Sequence, residues 1–228
     1  MKSYNLMKLI ILILIAISCL PLFGQNIELF GGLNTNQFHD YRQNEGHFQS
    51  SYNPGSGYSF ALAIDSIKAD WMTLRFTLKF DKYSGSLTAS DGGLGGGYTT
   101  TAKIDKSLIS LGVFPLNFRI IKRIDLNIGF EISKLISESY KGTSNDWLMG
   151  RPNWSYDLQE KYNKYSSSIN LGLSTRLAYN LQINESIIIS PQYIFYFGLS
   201  NEFIEFPEAT KSIRHFIGIG IKKRIKST

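Results

Sequence analysis

Charged side chains recur in this chain at positions flanked by apolar neighbours: Glu28, Asp65, Arg75, Lys79, Asp81, Asp125, Glu131, Arg176 and Arg214, with Lys222 and Arg224 near the end. Desolvating any one of them alone is costly, whereas carboxylates and cations gathered on one enclosed face neutralise each other. The chemistry to expect is therefore electrostatic: a charge network filling a polar interior. Glu131 is expected to pair with Arg176, and Glu28 with Lys222 or Arg224.

Other reactive residue types are sparse. His215 would serve as a base only beside a hydroxyl or thiol nucleophile and an orienting acid. Its nearest same-face neighbour, Ile217, is neither, so no catalytic residue is assigned and an outer-membrane lipid hydrolase stands only as an alternative. His39, Asp40, Glu45 and His47 are metal-ligand types in a spacing that matches no metal signature. No metal or cofactor is expected. The run Gly92-Gly93-Leu94-Gly95-Gly96-Gly97 lacks the lysine and following helix of a phosphate cradle, so residues 85 to 97 read as a flexible loop. A second long segment, Ser139 to Tyr165, reads as irregular and carries Trp147, Arg151, Trp154 and Tyr156. Those residues suit a protein or glycan partner, or anchorage at headgroup level.

The elements that must position these groups are strands. In RIDLNIGFEISKLISE, Arg123 to Glu138, the residues Ile124, Leu126, Ile128, Phe130 and Ile132 alternate with Asp125, Asn127, Gly129, Glu131 and Ser133. A period of two gives one apolar and one polar face. The same rule marks Ile27 to Phe38, Tyr58 to Ser66 (Tyr58, Phe60, Leu62 and Ile64 outward), Met72 to Asp81, Tyr98 to Ile120, Ile169 to Leu181, Ile187 to Leu199 and Ile213 to Ile225. In the segment Tyr98 to Ile120, Ile109, Leu111 and Val113 sit on odd positions but Leu116, Phe118 and Ile120 on even ones, which a bulge near Pro115 would reconcile. Long connections alternate with short ones at 67 to 70, 121 to 123 and 184 to 185. The expected fold is all-β, an eight-stranded antiparallel up-and-down transmembrane β-barrel over residues 25–228 with long loops outside the cell.

Composition and address agree. Mean hydropathy is −0.10, too low for several membrane helices and ordinary for a barrel whose strands are half polar. Lys2 and Lys8, the apolar run Leu9 to Ile17, and the small-residue region ending at Gly24 read as a secretory signal over residues 1–24. Cys19 is the only cysteine, and Ala16-Ile17-Ser18-Cys19 is an imperfect lipoprotein box. Without the signal's two lysines the balance is 22 basic against 18 acidic residues. The basic tail Lys222, Lys223, Arg224, Lys226 reads as a phospholipid-facing end; nucleic acid is not an expected partner, and outer-membrane lipid is.

With the strands assigned, LISLGVFPLNFRIIKRIDLNIGFEISKLIS (Leu108 to Ser137) resembles the small outer-membrane β-barrel family of Bacteroidetes-type bacteria, including PorT-like barrels. The resemblance implies residence in a Gram-negative outer membrane, a non-enzymatic structural or interaction role through the extracellular loops, and, for some relatives, service in a protein-secretion assembly. A narrow pore is a further possibility. The chain departs from many barrels in ending Arg224-Ile225-Lys226-Ser227-Thr228 rather than on an aromatic residue.

Overall fold

The computed structural model describes residues 26–40, 49–69, 72–160, 166–204 and 210–225; the expected signal, 1–24, lies outside them, as do Glu45 and His47. The strands are β1 (Asn26–Asp40), β2 (Gln49–Asn53), β3 (Gly55–Ala69), β4 (Met72–Gly93), β5 (Gly96–Ile121), β6 (Ile124–Leu148), β7 (Trp154–Glu160), β8 (Ile169–Tyr179), β9 (Leu181–Gln182), β10 (Ile187–Gly198) and β11 (Thr210–Arg224). They form one sheet in the order β11-β1-β3-β4-β5-β6-β8-β10-β9, with β2 on β4 and β7 on β6. Strand β11 also pairs with β10, so it has a neighbour on each side.

This corrects the expected fold: the sheet has eleven strands, not eight. The additional strands have identifiable origins. β9 is separated from β8 at Asn180, whose N–H donates to the Arg123 carbonyl and whose side-chain amide is bonded to Asp125 at 2.5 Å. β2 and β7 arise where open loops were expected. β4 and β5 pair without a break from Arg75–Phe114 to Gly93–Gly96, so the supposed flexible loop at 85 to 97 is the end of a hairpin that turns at Leu94 and Gly95. Its alternation was present in the sequence: Leu87, Ala89, Ala102 and Ile104 are buried, and the intervening threonines favour extended backbone. Likewise β6 runs on to Leu148 and β7 folds back onto it from Asp146–Trp154 to Tyr140–Glu160. Most of the expected irregular segment is thus a second long hairpin, and β2, β4, β5, β6 and β7 form a five-stranded extension at one end of the sheet.

Register shifts set which side chains face inward. Between Val113 and Leu116 two residues of β5 oppose Gly129 alone, the bulge expected at Pro115. At the pairs Ser107–Ser137 and Leu108–Leu135 the surplus residue is Ile136 on β6, so Ile136 and Ser137 are both exposed and Glu138 turns inward. A shift in β3 between Ile64 and Ile67 accompanies burial of Ile64, which the alternation had placed outward.

The outward face is apolar over a broad band. Leu33 is 74% exposed, Phe130 58% and Ile217 69%, with Leu29, Phe60, Leu111, Phe118, Leu171 and others beside them. Covering a large apolar side chain is worth about 1.5–3 kcal/mol, so a dozen left in water would forgo on the order of 20 kcal/mol, more than the roughly 5–15 kcal/mol stability of a typical domain. The band requires an apolar surrounding.

Candidate functional site: two buried charge layers and an aromatic extension

Opposite the apolar band, the sheet's inner face gathers charged groups into two layers. At the short-turn end, Glu28 (β1) accepts from Arg75 (β4) at 2.8 Å and from Arg176 (β8) at 3.0 Å. Asp65 (β3) lies 3.3 Å from Arg75 and 2.8 Å from Lys222 (β11), and Lys222 is 3.8 Å from Asp125 (β6). Arg176 also donates to Asn127 at 2.8 Å and to Gln192. Three buried cations thus face three carboxylates, and the exposed Arg119 meets Asp125 at 3.3 Å from the rim.

Towards the long hairpins, Lys79 (β4) bridges Asp81 at 3.2 Å and Glu131 at 3.0 Å. Lys106 (β5) bridges Glu202 at 2.9 Å and Glu138 at 3.3 Å. Arg214 (β11) reaches Glu131 at 3.9 Å and Glu202 at 3.8 Å, and its guanidinium stacks 4.3 Å from the Tyr196 ring centre. The Tyr83 hydroxyl donates to Glu202 at 3.2 Å. Lys106 stands 4.1 Å from the Phe203 ring centre, a cation–π contact in a dry setting.

Apolar side chains separate and cap the layers. Phe30, Ala61, Ala63, Ile194 and Phe216 form one cluster, with Phe30 edge-on to Phe216 at 5.6 Å. Phe38, Tyr83, Leu87, Ile104, Leu108, Tyr140 and Phe203 form another near the long hairpins. A cavity of about 770 Å³ opens at the short-turn end, lined by Asp65, Asp125, Asn127 and Lys222 of the first layer and by Arg119, Lys122, Arg123 and Arg224.

Of the residues singled out in the sequence, Glu28, Asp65, Arg75, Lys79, Asp81, Glu131, Arg176 and Arg214 are buried, while Asp125 is half-buried and Arg224 exposed. The expected partners are corrected. Glu131 joins Lys79 rather than Arg176, and Glu28 joins Arg75 and Arg176 rather than Lys222 or Arg224. Sequence reasoning missed Lys106, Glu138 and Glu202. Lys106 lay in the segment of ambiguous phase, between Ile104 and Leu108 on the same parity; Glu138 was hidden by the β6 register shift; Glu202 carried no signal, since it lies beyond β10.

His215 contacts aromatic rings. Its Nδ1 is 2.6 Å from the Tyr193 hydroxyl and its ring is 5.4 Å from Phe195. Among the described residues no group of three or more histidine, cysteine and acidic side chains could hold a metal. In the extension, Trp147 pairs with Gly97 on β5, whereas Trp154 and Tyr156 lie opposite Asp146 and Ser144 on β6. Adjacent rows point to opposite faces, so Trp154 and Tyr156 share one face and Trp147 occupies the other; Arg151 sits at the turn. Tyr98, in the row of Asp91 and Asp146, has its phenol held above its ordinary value by burial and then by those two carboxylates.

An apolar outward band, a charge-paired inner face and antiparallel strands whose hairpins extend far at one end of the sheet and turn tightly at the other define an integral outer-membrane β-protein. The chain belongs to the outer membrane protein beta-barrel domain family, whose model matches residues 23–204, and its place is the outer membrane. Similar solved structures include the attachment invasion locus protein Ail of Yersinia pestis (11% identity, 88% of this chain and 99% of that one, TM-score 0.39). Neisserial surface protein A is another (12%, 87% and 97%, TM-score 0.42), as is OprG from Pseudomonas aeruginosa (13%, 90% and 97%, TM-score 0.40). No curated protein matches the chain.

Proposed function

We propose that this outer-membrane protein is a non-enzymatic recognition protein that presents its long hairpins outside the cell and keeps its interior closed to solutes. The observation that carries this reading is the five-stranded extension, which holds Trp147, Trp154 and Tyr156 between 41% and 47% exposed on paired strands rather than on loose loops. A rigid backbone presenting aromatic side chains is how recognition surfaces gain area at low entropic cost. The short-turn-inward convention of such proteins puts the hairpins outside. Closure of the interior is supported by the charge layers, whose members are tied to two or more partners each across the inner face.

On this reading His215 has no catalytic role and is an aromatic-contact residue, its Nδ1 2.6 Å from the Tyr193 phenol. A narrower kinship with the PorT-like barrels of secretion assemblies rests on Leu108 to Ser137 and would make the partner a protein of that assembly.

Photo-crosslinking from positions 94 and 149 on intact cells tests the reading. A discrete adduct is expected, and the one formed from position 94 should disappear on deleting Lys141 to Lys161; absence of any adduct overturns recognition by the hairpins. Steady conductance in planar bilayers would replace the closed interior with a pore. Fatty-acid release abolished by His215→Ala would replace both with a hydrolase.

A further inference from the structure

We propose that the Trp147 face of the extension is a carbohydrate platform, with the indole stacking on a neutral pyranose ring. This deepens the reading given above and rests on the hairpins facing outward.

The glycine run acquires a purpose in three dimensions. Gly92, Gly97 and Trp147 form one row across β4, β5 and β6. A Cβ on Gly97 would come 2.9 Å from the indole Nε1, and one on Gly92 would come 3.5 Å from Cζ2. The ring therefore lies along two glycines that serve as its floor, while 41% of the residue stays open. A side chain at Gly97 would crowd the indole and, more closely still, the Asp91 carbonyl oxygen at 2.4 Å, whereas a Cβ at Gly92 would make ordinary contact with the ring.

The rest of that face is polar. Two residues along, the row on the same side is Gln49, Ser90, Thr99 and Asn145; the next is Ser51, Thr88, Thr101 and Thr143. On β2, β4, β5 and β6 these rows carry hydroxyls and amides, with no charge. The groove beside the indole measures about 480 Å³ and is lined by Gln49, Ser90, Gly92, Thr99 and Trp147, with Asp91 and Tyr98 among its edges. That volume is within the range of roughly 300–1,000 Å³ typical of small-molecule clefts.

A pyranose offers one patch of C–H groups and a ring of hydroxyls that both donate and accept. A flat indole covers the C–H patch, and amides and hydroxyls supply both kinds of hydrogen-bond partner. Charge narrows the ligand further. Asp91 lines the edge of the groove, Asp157 on β7 lies opposite Thr143 and so on the same side, and neither lysine nor arginine stands in the three rows to receive a sulfate or carboxylate, so anionic sugars are repelled. A protein partner would want several apolar anchors at the centre of the contact, whereas beside Trp147 the groove offers only Leu94, out at its turn end. Along β6, Trp147 is eleven residues beyond Ile136, the last exposed apolar residue of the band, or about 36 Å of strand. The platform thus stands well clear of lipid, where either a soluble glycan or the distal sugars of an outer-leaflet glycolipid would meet it.

The full-length protein in phospholipid nanodiscs is titrated with maltotriose, mannotriose, chitotriose and sialyllactose, followed by indole emission and saturation-transfer NMR. At least one neutral trisaccharide is expected to bind with a dissociation constant of about 0.1–1 mM. Trp147→Ala should weaken it at least tenfold, Trp147→Phe less, and sialyllactose should bind more weakly than its neutral counterparts. Gly97→Ala should act like Trp147→Ala if the hairpin still forms; Trp147→Ala, on an open face, decides the matter if it does not. Nanodiscs carrying outer-leaflet glycolipid with a complete or a truncated sugar chain separate the sources: competition by the complete form alone assigns the site to the membrane's own glycolipid, and no competition assigns it to soluble glycans. Binding by none of the neutral sugars, or equal binding by Trp147→Ala, overturns the platform. A crosslinked protein adduct at position 94 or 149 without sugar binding overturns the platform and leaves the recognition reading standing; loss of both overturns both.

Discussion

The Glu28 carboxylate and the Arg176 guanidinium, 148 positions apart in sequence, meet at 3.0 Å through both carboxylate oxygens. Their strands are not hydrogen-bonded neighbours: β1 lies between β11 and β3, and β8 between β6 and β10. The bond therefore fixes the distance across the inner face. Glu28→Gln should lower stability by about 3–5 kcal/mol, because it leaves buried cations undercompensated; urea unfolding in lipid vesicles measures it.

Gly220 makes room for that carboxylate. A Cβ there would lie 2.2 Å from Glu28 Oε1 and 3.1 Å from Gln192 Nε2. Gly220→Ala should cost about 1–3 kcal/mol in the same assay. In a Glu28→Ala background the obstruction is gone, so the second substitution should add much less than its own cost. Additive costs would show that the carboxylate is not what fills the space.

Lys106 ties the segment after β10 to β5 and β6 through Glu202 and Glu138. With Lys106→Met those carboxylates lose their shared cation. Amide exchange should accelerate at Ser167 and Glu202, whose N–H groups donate to the carbonyls of Glu202 and Thr210, while exchange in β1 stays slow. Unchanged protection at those two amides would show that the segment is held by its apolar contacts.

The edge of the apolar band can be located by charge. Leu33→Arg should destabilise by about 2–4 kcal/mol if it sits near the bilayer midplane. Thr101→Arg, also outward but on the extension, should be near neutral. Equal costs at the two sites would misplace the boundary between lipid and water.

Alternation made the strands legible, and even the bulge at Pro115 could be read from the parity change between Val113 and Leu116. What escaped has specific causes. Strand number failed because β2 and β7 lie in segments read as loops and β9 was counted with β8; the length of β4 failed because Leu87 and Ala89 were passed over in favour of the glycines that follow them, although those glycines make the close pairing at Trp147 possible. Ion-pair partners failed because sequence order suggests neighbours on adjacent strands, whereas Glu28 and Glu131 choose cations across the inner face. Glu138 failed because one surplus residue, Ile136, reversed the parity of everything after it on β6.

The two hairpin ends are joined, since the Met149 N–H donates to the Gly95 carbonyl at 3.0 Å, and β4 and β5 stay in register to their last pair. A protease that nicks the chain at Leu94 on a living cell would thus release nothing: both cut ends stay zipped to their neighbours. Surface-shaving experiments that count liberated peptides would score this most prominent part of the molecule as hidden.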